Sequence, residues 1–203
     1  MVTYIEQEAK FRISNPQALR SRLEALGAVL MLDHQHEINI RFDQADGSYK
    51  AEHKVLRLRI DQKARLTYKG AAQEGTEVSV RKEIEFEVND ADAATAFLQC
   101  LGFQPFETYE KYRTTYHLHG LEVVLDELPY GDFVEIEGED EDQIHQTADA
   151  LGLNWEKRCK FSYLELFYHL NEKHGLDCAH LTFDGYPAQD PAEEWLDAEI
   201  ADG

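Results

Sequence analysis

The chain has 203 residues, with 40 acidic against 20 basic side chains and a formal net charge of −20. That balance argues against non-specific binding to nucleic acid or to an anionic membrane surface, while ordinary apolar and aromatic fractions exclude a disordered chain. Three cysteines, Cys100, Cys159 and Cys178, form no close pair and match no zinc spacing. No apolar run approaches the roughly 18 residues of a membrane span, so a soluble cytoplasmic protein is expected.

The first element is the strand Tyr4 to Ile13. Side chains of a strand alternate faces with period two, which puts Glu6, Glu8, Lys10 and Arg12 on one face and Ile5, Ala9, Phe11 and Ile13 on the other. Ser14-Asn15-Pro16 then opens a helix with its apolar stripe on Ala18, Leu19, Leu23 and Leu26, stopped by Gly27. Glu37 to Asp43 reads as a strand and Asp46 to about Lys54 as a polar loop. Val55–Ile60 and Arg65–Lys69 alternate cleanly and form a hairpin. Gly70 to Gly75 is a flexible connection.

Val80 to Val88 repeats the pattern of the first strand, with Arg81, Glu83, Glu85 and Glu87 on one face. A helix follows on Ala94, Phe97, Leu98 and Leu101, ending at Gly102. Strands come next at Tyr109–Leu118, carrying Lys111 and Arg113, and at Leu121–Leu125, running into Asp126. Phe133 to Glu137 is a third acidic strand, again followed by a helix (Ile144, Ala148, Leu151) that ends at Gly152. The chain thus holds three weak copies of one unit: an acid-x-acid strand, an amphipathic helix closed by Leu-Gly, and a further charged segment. Such a repeat suggests a structure closed by pseudo-symmetry.

Periodicity leaves open which way the charges face. Half-buried sheets more often keep charges outside. If the apolar faces lie beneath the three helices, the charged faces line a lumen that must pair its charges, hold a cation or stay wet. His34/His36 and His117/His119 lack a third ligand at zinc spacing and read as strand or edge residues. Tyr109, Tyr112 and Tyr163 read as packing residues.

Taken together the strands resemble the CYTH domain of the triphosphate tunnel metalloenzymes. The E-x-E-x-K signature stands at Glu6-Gln7-Glu8-Ala9-Lys10. It is followed in order by Asn39-x-x-Phe42-Asp43, Leu56-Arg57-Leu58-Arg59, Leu66-Thr67-Tyr68-Lys69-Gly70 and Arg81-x-Glu83-x-Glu85. Tyr109 to Arg113, Leu125-Asp126-Glu127, Gly131 to Gly138 and Ser162-Tyr163-x-Glu165-Leu166 complete the set.

The resemblance implies an α+β fold: an eight-stranded antiparallel β-barrel with a charged lumen and flanking helices. It would occupy residues 1–170, with an acidic extension, 171–203, partly helical or disordered. It implies Mg2+ or Mn2+ held by Glu6, Glu8, Glu135 and Glu137. A triphosphate cradle would comprise Lys10, Arg57, Arg59, Lys69, Arg81, Lys111, Arg113 and Lys160, with Arg158 competing for the place of Lys160. Lys10, Lys69, Glu83, Glu85 and Asp126 are the implied catalytic candidates. Hard oxygen ligands suit these metals, and Arg forks suit phosphate.

The expected partner is a small-molecule triphosphate (ATP, thiamine triphosphate or inorganic triphosphate), without nucleic acid or membrane, in a chain that could pair as a homodimer. Hydrolysis of the terminal phosphate is the first reading and an adenylyl cyclase reaction the second. A non-enzymatic polyphosphate or nucleotide binder is the third.

Overall fold

A computed structural model describes residues 5–73, 75–186, 196 and 198–203; the Glu6 side chain lies outside the described part, as do Pro187 to Trp195 of the expected extension. Eight strands are formed: β1 Ile5–Ile13, β2 Val29–Gln44, β3 Val55–Ile60, β4 Ala64–Lys69, β5 Ser79–Val88, β6 Phe103–Leu118, β7 Leu121–Leu128 and β8 Gly131–Gly138. Every neighbouring pair is antiparallel, and the order β1-β5-β4-β3-β2-β6-β7-β8 closes into a tunnel-like ring. The helices are α1 Pro16–Ala25, α2 Ser48–Ala51, α3 Ala91–Cys100, α4 Glu141–Ala150 and α5 Tyr163–His174. None of them is long and apolar enough to cross a membrane.

The facing question resolves toward inward charges, for a packing reason. Ala9, Phe11 and Ile13 of β1 and Val134 and Ile136 of β8 are buried outside the ring, against Leu19 and Leu23 of α1 and Ile144, Ala148 and Leu151 of α4. On the other side Phe42, Leu58 and Leu66 pack against Ala94 and Leu98 of α3. Burial of side chains of this size contributes roughly 1.5–3 kcal/mol each, so the helices decide which face of the sheet turns outward. With period two, the charged faces are left to the lumen.

Local chemistry sets the three strand–helix units. Asn15, Asp90 and Asp140 each cap a helix by accepting from backbone N–H groups of its first turn. After each helix a Leu is followed by a glycine in the left-handed region, Gly27, Gly102 and Gly152, where other residues are strained. In the ring β5, β1 and β8 are neighbours, so the three acid-x-acid strands lie side by side.

Two elements exceed their sequence reading. β2 begins at Val29, where an apolar run of four residues pairs with the far end of β6 before a register break at His34, whose φ is +45°. β6 begins at Phe103, and its Pro105 is accommodated at a register shift opposite Phe42. The expected polar loop holds α2, whose N–H groups at Tyr49 and Lys50 donate to the Asp43 carboxylate.

β5 pairs with β1 only over Ile5–Glu8, and the rest of that β1 edge is completed from the C-terminal part of the chain. Cys159 N donates to Lys10 O, Ala201 N donates to Arg12 O, and Ile200 bridges Arg12 in parallel. Asp202 accepts from the backbone of Ser14 and Asn15 at 2.8 and 2.9 Å, and Leu196, Ala198 and Ala201 are buried. Leu181 fills a similar gap on β6, accepting from Glu110 N and donating to Thr108 O. A chain ending at Trp195 is expected to lose about 3 kcal/mol, from one buried Leu and the lost edge bonds, or about 6–12 °C in Tm. An unchanged calorimetric melt would show that this edge contributes nothing.

Candidate active site

The lumen carries both signs of charge. The adjacent strands β5, β1 and β8 present Glu8, Lys10, Arg81, Glu83, Glu85, Glu135 and Glu137; β2, β3, β4 and β6 present Arg41, Arg57, Arg59, Lys69, Lys111 and Arg113 together with Glu37, and β7 presents Glu122 and Asp126. Between the walls lies a cavity of about 600 Å³, lined by Glu8, Lys10, Arg57, Arg59, Lys69, Arg81, Lys111, Arg113, Glu135 and Glu137 among others. The strand pattern therefore brings most of the acids from three adjacent strands to the same lumen as most of the bases of the others.

The deep part of the lumen is a continuous ion-pair network. Asp126, its side chain fully closed to solvent, accepts from Lys111 Nζ at 2.9 Å, from Arg113 at 2.7 and 2.6 Å, and from the Tyr163 hydroxyl at 2.9 Å. Arg113 also reaches Glu135 at 2.6 Å, and Lys10 reaches Glu135 at 3.2 Å. Arg59 forks onto Glu85 at 2.9 and 2.7 Å and lies 3.4 Å from Glu37. Arg57 donates to the Tyr109 hydroxyl and to Thr67, each at 3.2 Å. Lys69 pairs with Glu83 at 3.3 Å. The N-terminal turn of α5, fixed by the Ser162–Glu165 capping box, sets the Tyr163 ring 4.1 Å from Lys10 Nζ.

Burial and charge compete in this network, and charge wins for the paired groups. Burial raises the Glu37 carboxyl, but Lys111, Arg113, Arg59 and Arg57 hold it down at about 2. Glu135 is likewise kept well below the carboxylate range, against burial, by Lys10, Arg113 and Lys111. Burial disfavours the Lys10 ammonium, yet Glu135 and Glu8 raise its pKa. Burial, then Asp126 and Glu135, push the Tyr163 phenol far up, so it stays a donor.

Toward one mouth the acids form a row. Glu8 lies opposite Glu137 across β1–β8, and Glu137 opposite Glu122 across β8–β7. All three line the cavity and are partly exposed. Like charges facing across strands repel, so this row suits a cation. Among the described residues no three His, Cys, Asp or Glu side chains converge into a ready-made cage. Carboxylate oxygens are hard donors of the kind Mg2+ takes one or two at a time, water and phosphate completing its shell.

Lys160 is exposed at the cavity rim, and Arg81 donates to the Ser79 hydroxyl. Arg158, the competitor of Lys160, instead bonds the backbone of Glu77 and Trp155. His34 stacks on Tyr112 outside the lumen and meets Glu127 at 3.1 Å, and His36 lies 3.8 Å from Glu110. His117 lies 3.6 Å from Glu122. The sequence reading gave no role to Glu37, Arg41 and Glu122, nor to Asn39 beyond its place in the Asn39-x-x-Phe42-Asp43 match. Period two on β2 and β7 carries the signal for all four, since they share a face with residues already singled out.

Comparison with known proteins agrees with this architecture. The adenylate cyclase CyaB of Aeromonas hydrophila is 29% identical over 162 residues, covering 73% of this chain and 81% of the relative. A Pyrococcus horikoshii structure is 28% identical, with a TM-score of 0.67, over 79% of this chain and 98% of its own. A Vibrio parahaemolyticus structure provisionally described as an adenylate cyclase is 20% identical, with a TM-score of 0.72, over 82% and 99%. The CYTH domain model matches residues 4–157, and proteins of that family act as adenylyl cyclases or triphosphatases, generally with a divalent metal. With three quarters of its length matched and the tunnel-like ring in place, the chain belongs to the CYTH domain family.

Proposed function

We propose that this chain is a metal-dependent enzyme acting on triphosphates, in which water attacks the terminal phosphorus of an organic or inorganic triphosphate. The observation that carries the reading is the charged lumen: in a chain of net charge −20, basic side chains from β1 to β6 gather around one cavity that also holds a carboxylate row. A pure anion binder has no use for that row. Phosphoryl transfer asks mainly for positioning and charge neutralisation.

In this reading Lys10, Arg57, Arg59, Lys69, Arg81, Lys111, Arg113 and Lys160 bind the triphosphate. Glu8 and Glu137 hold Mg2+ or Mn2+, with Glu6 and Glu135 as further ligands. A divalent cation, when bound, offsets phosphate charge and makes its water more acidic. Glu83, Glu85 and Asp126 keep the basic side chains charged and aimed until substrate competes for them. Lys10 and Lys69 neutralise charge developing on the transferred group.

A second reading is favoured by the likeness to CyaB: the ATP 3′-hydroxyl attacks the alpha phosphorus in the same lumen, releasing pyrophosphate and cyclic AMP. Incubation with ATP, thiamine triphosphate and inorganic triphosphate under Mg2+ or Mn2+, with products resolved chromatographically, separates the two. Orthophosphate supports hydrolysis and cyclic AMP supports cyclisation. Tight binding without turnover overturns both.

Arg57→Ala and Arg59→Ala are expected to weaken triphosphate binding about 10- to 100-fold and diphosphate binding less, since charge-assisted bonds to phosphate are lost. Calorimetric titration checks this, and unchanged affinities in both variants would remove β3 from the cradle.

A further inference from the structure

The lumen face of β2 carries Glu37, Asn39 and Arg41, three residues at period two. Asn39 is fully buried, and neither its Oδ1 nor its Nδ2 has a hydrogen-bond partner. The Nε atoms of Arg41, Arg57 and Arg59 are also buried without a hydrogen bond, as is Glu37 Oε2, which lies 3.7 Å from Lys111 Nζ. These residues are neighbours by register: Asn39 faces Arg59 on β3 and Tyr109 on β6, and Arg41 faces Arg57. A buried polar group left unpaired costs about 1–3 kcal/mol, so a concentration of them on one wall is expensive to keep without a ligand.

The character of the unmet atoms selects that ligand. Four of these six atoms, Asn39 Nδ2 and the three arginine Nε atoms, are N–H donors, which match an acceptor-rich oxyanion; Asn39 Oδ1 and Glu37 Oε2 are acceptors. Arg41 adds charge. It lines the cavity, its hydrogen bond runs to Lys54 O at 3.4 Å, and the carboxylate opposite it across β2–β6, Glu107, accepts from the Tyr168 hydroxyl at 2.6 Å. Burial lowers its pKa by more than Tyr109 and Glu107 raise it, so an anion in the cavity would add counter-charge.

We propose that Asn39 and Arg41 form a further anion subsite on the inner wall of β2, taking phosphoryl oxygens of the same polyphosphate chain; this rests on the triphosphate reading above. Arg41 meets the anion at the cavity surface. Asn39 is closed off while Arg59 is held by Glu85 and Glu37, and becomes available when the anion draws Arg59 away from them. Neither residue belongs to the eight-base cradle. Together they extend it toward chains with more phosphoryl oxygens than the cradle alone satisfies.

The test combines melts of Asn39→Leu and Arg41→Gln without ligand with calorimetric titrations of inorganic triphosphate. Leu removes an unpaired buried amide at similar volume, so Asn39→Leu should melt at or above the unaltered protein while binding about tenfold more weakly. Arg41→Gln should also bind about tenfold more weakly. Unaltered affinity in both variants overturns the subsite, as does an Asn39→Leu protein that melts lower and binds normally. Should Asn39→Leu not fold, Asn39→Asp keeps the shape and opposes the anion with a charge; unchanged or tighter binding by it overturns the proposal. Failure of the unaltered protein to bind triphosphate with either metal removes the broader reading and the subsite together, an outcome distinct from failure of the subsite alone.

Discussion

Turnover in Glu8→Gln and in Glu137→Gln is expected to fall about a hundredfold or more, while the ligand-free Tm holds within a few degrees or rises. The opposed signs follow from the row that these residues form. Glu8 faces Glu137, and Glu137 faces Glu122, across adjacent strands. Like charges in that relation destabilise a sheet, so neutralising one relieves repulsion in the empty protein, which offsets the attraction to Lys10 that Glu8 gives up. The same change removes a hard oxygen donor from the implied cation site, and the several kcal/mol of transition-state stabilisation that a cation supplies correspond to two or more powers of ten in rate. Glu135→Gln should behave differently. Its carboxylate holds Lys10 at 3.2 Å and Arg113 at 2.6 Å, so the amide costs stability as well as activity. The checks are steady-state rates across a Mg2+ series and thermal melts of all three variants. Near-normal rates at low Mg2+ in both Glu8→Gln and Glu137→Gln would remove the row from the mechanism.

Much of the fold was readable because strand period and helix period act locally. Glu6-x-Glu8-x-Lys10 opposite Ala9 and Phe11, or Arg57 and Arg59 between Leu56, Leu58 and Ile60, declare two faces without any long-range information. Pro16 after a capping Asn, and glycines after Leu26, Leu101 and Leu151, marked the helix ends. Which face turns inward was not readable from alternation, since an amphipathic strand satisfies either arrangement. It is decided by Leu19, Leu23, Ile144 and Leu151 arriving from distant helices, and the family resemblance carried that information. Pairing partners were equally non-local. Nothing near Asp126 indicates that Lys111, Arg113 and Tyr163 meet on it, because three separate elements must close first. The β1 edge sealed by Cys159 and Ala201 was invisible for the same reason.

That meeting point carries the largest expected loss of stability. Asp126→Ala should cost about 3–5 kcal/mol, because it strips one carboxylate from two buried cations and the acceptor from the Tyr163 hydroxyl. For a domain of this size the corresponding fall in Tm is about 6–20 °C. Asp126→Asn should cost less, since it keeps the shape and one acceptor oxygen. The same network sets the response to acid, and the sign is fixed by the direction of the shifts. Glu37 drops from 4.5 to about 2 on folding, and Glu135 falls well below its ordinary value. A carboxyl whose pKa is depressed in the native state stabilises above its unfolded pKa, and that contribution is lost as pH falls through the folded one. Glu37 alone is then worth on the order of 3 kcal/mol at neutral pH. The melting temperature should therefore stay nearly flat from pH 7 to about pH 5 and decline below about pH 4.5, with most of the loss between there and pH 2. In Asp126→Ala the decline should start from a lower plateau at the same pH, since Glu37 and Glu135 still compensate Lys111 and Arg113. A wild-type Tm that stays level down to pH 3 would contradict the buried ion-pair network as the source of stability.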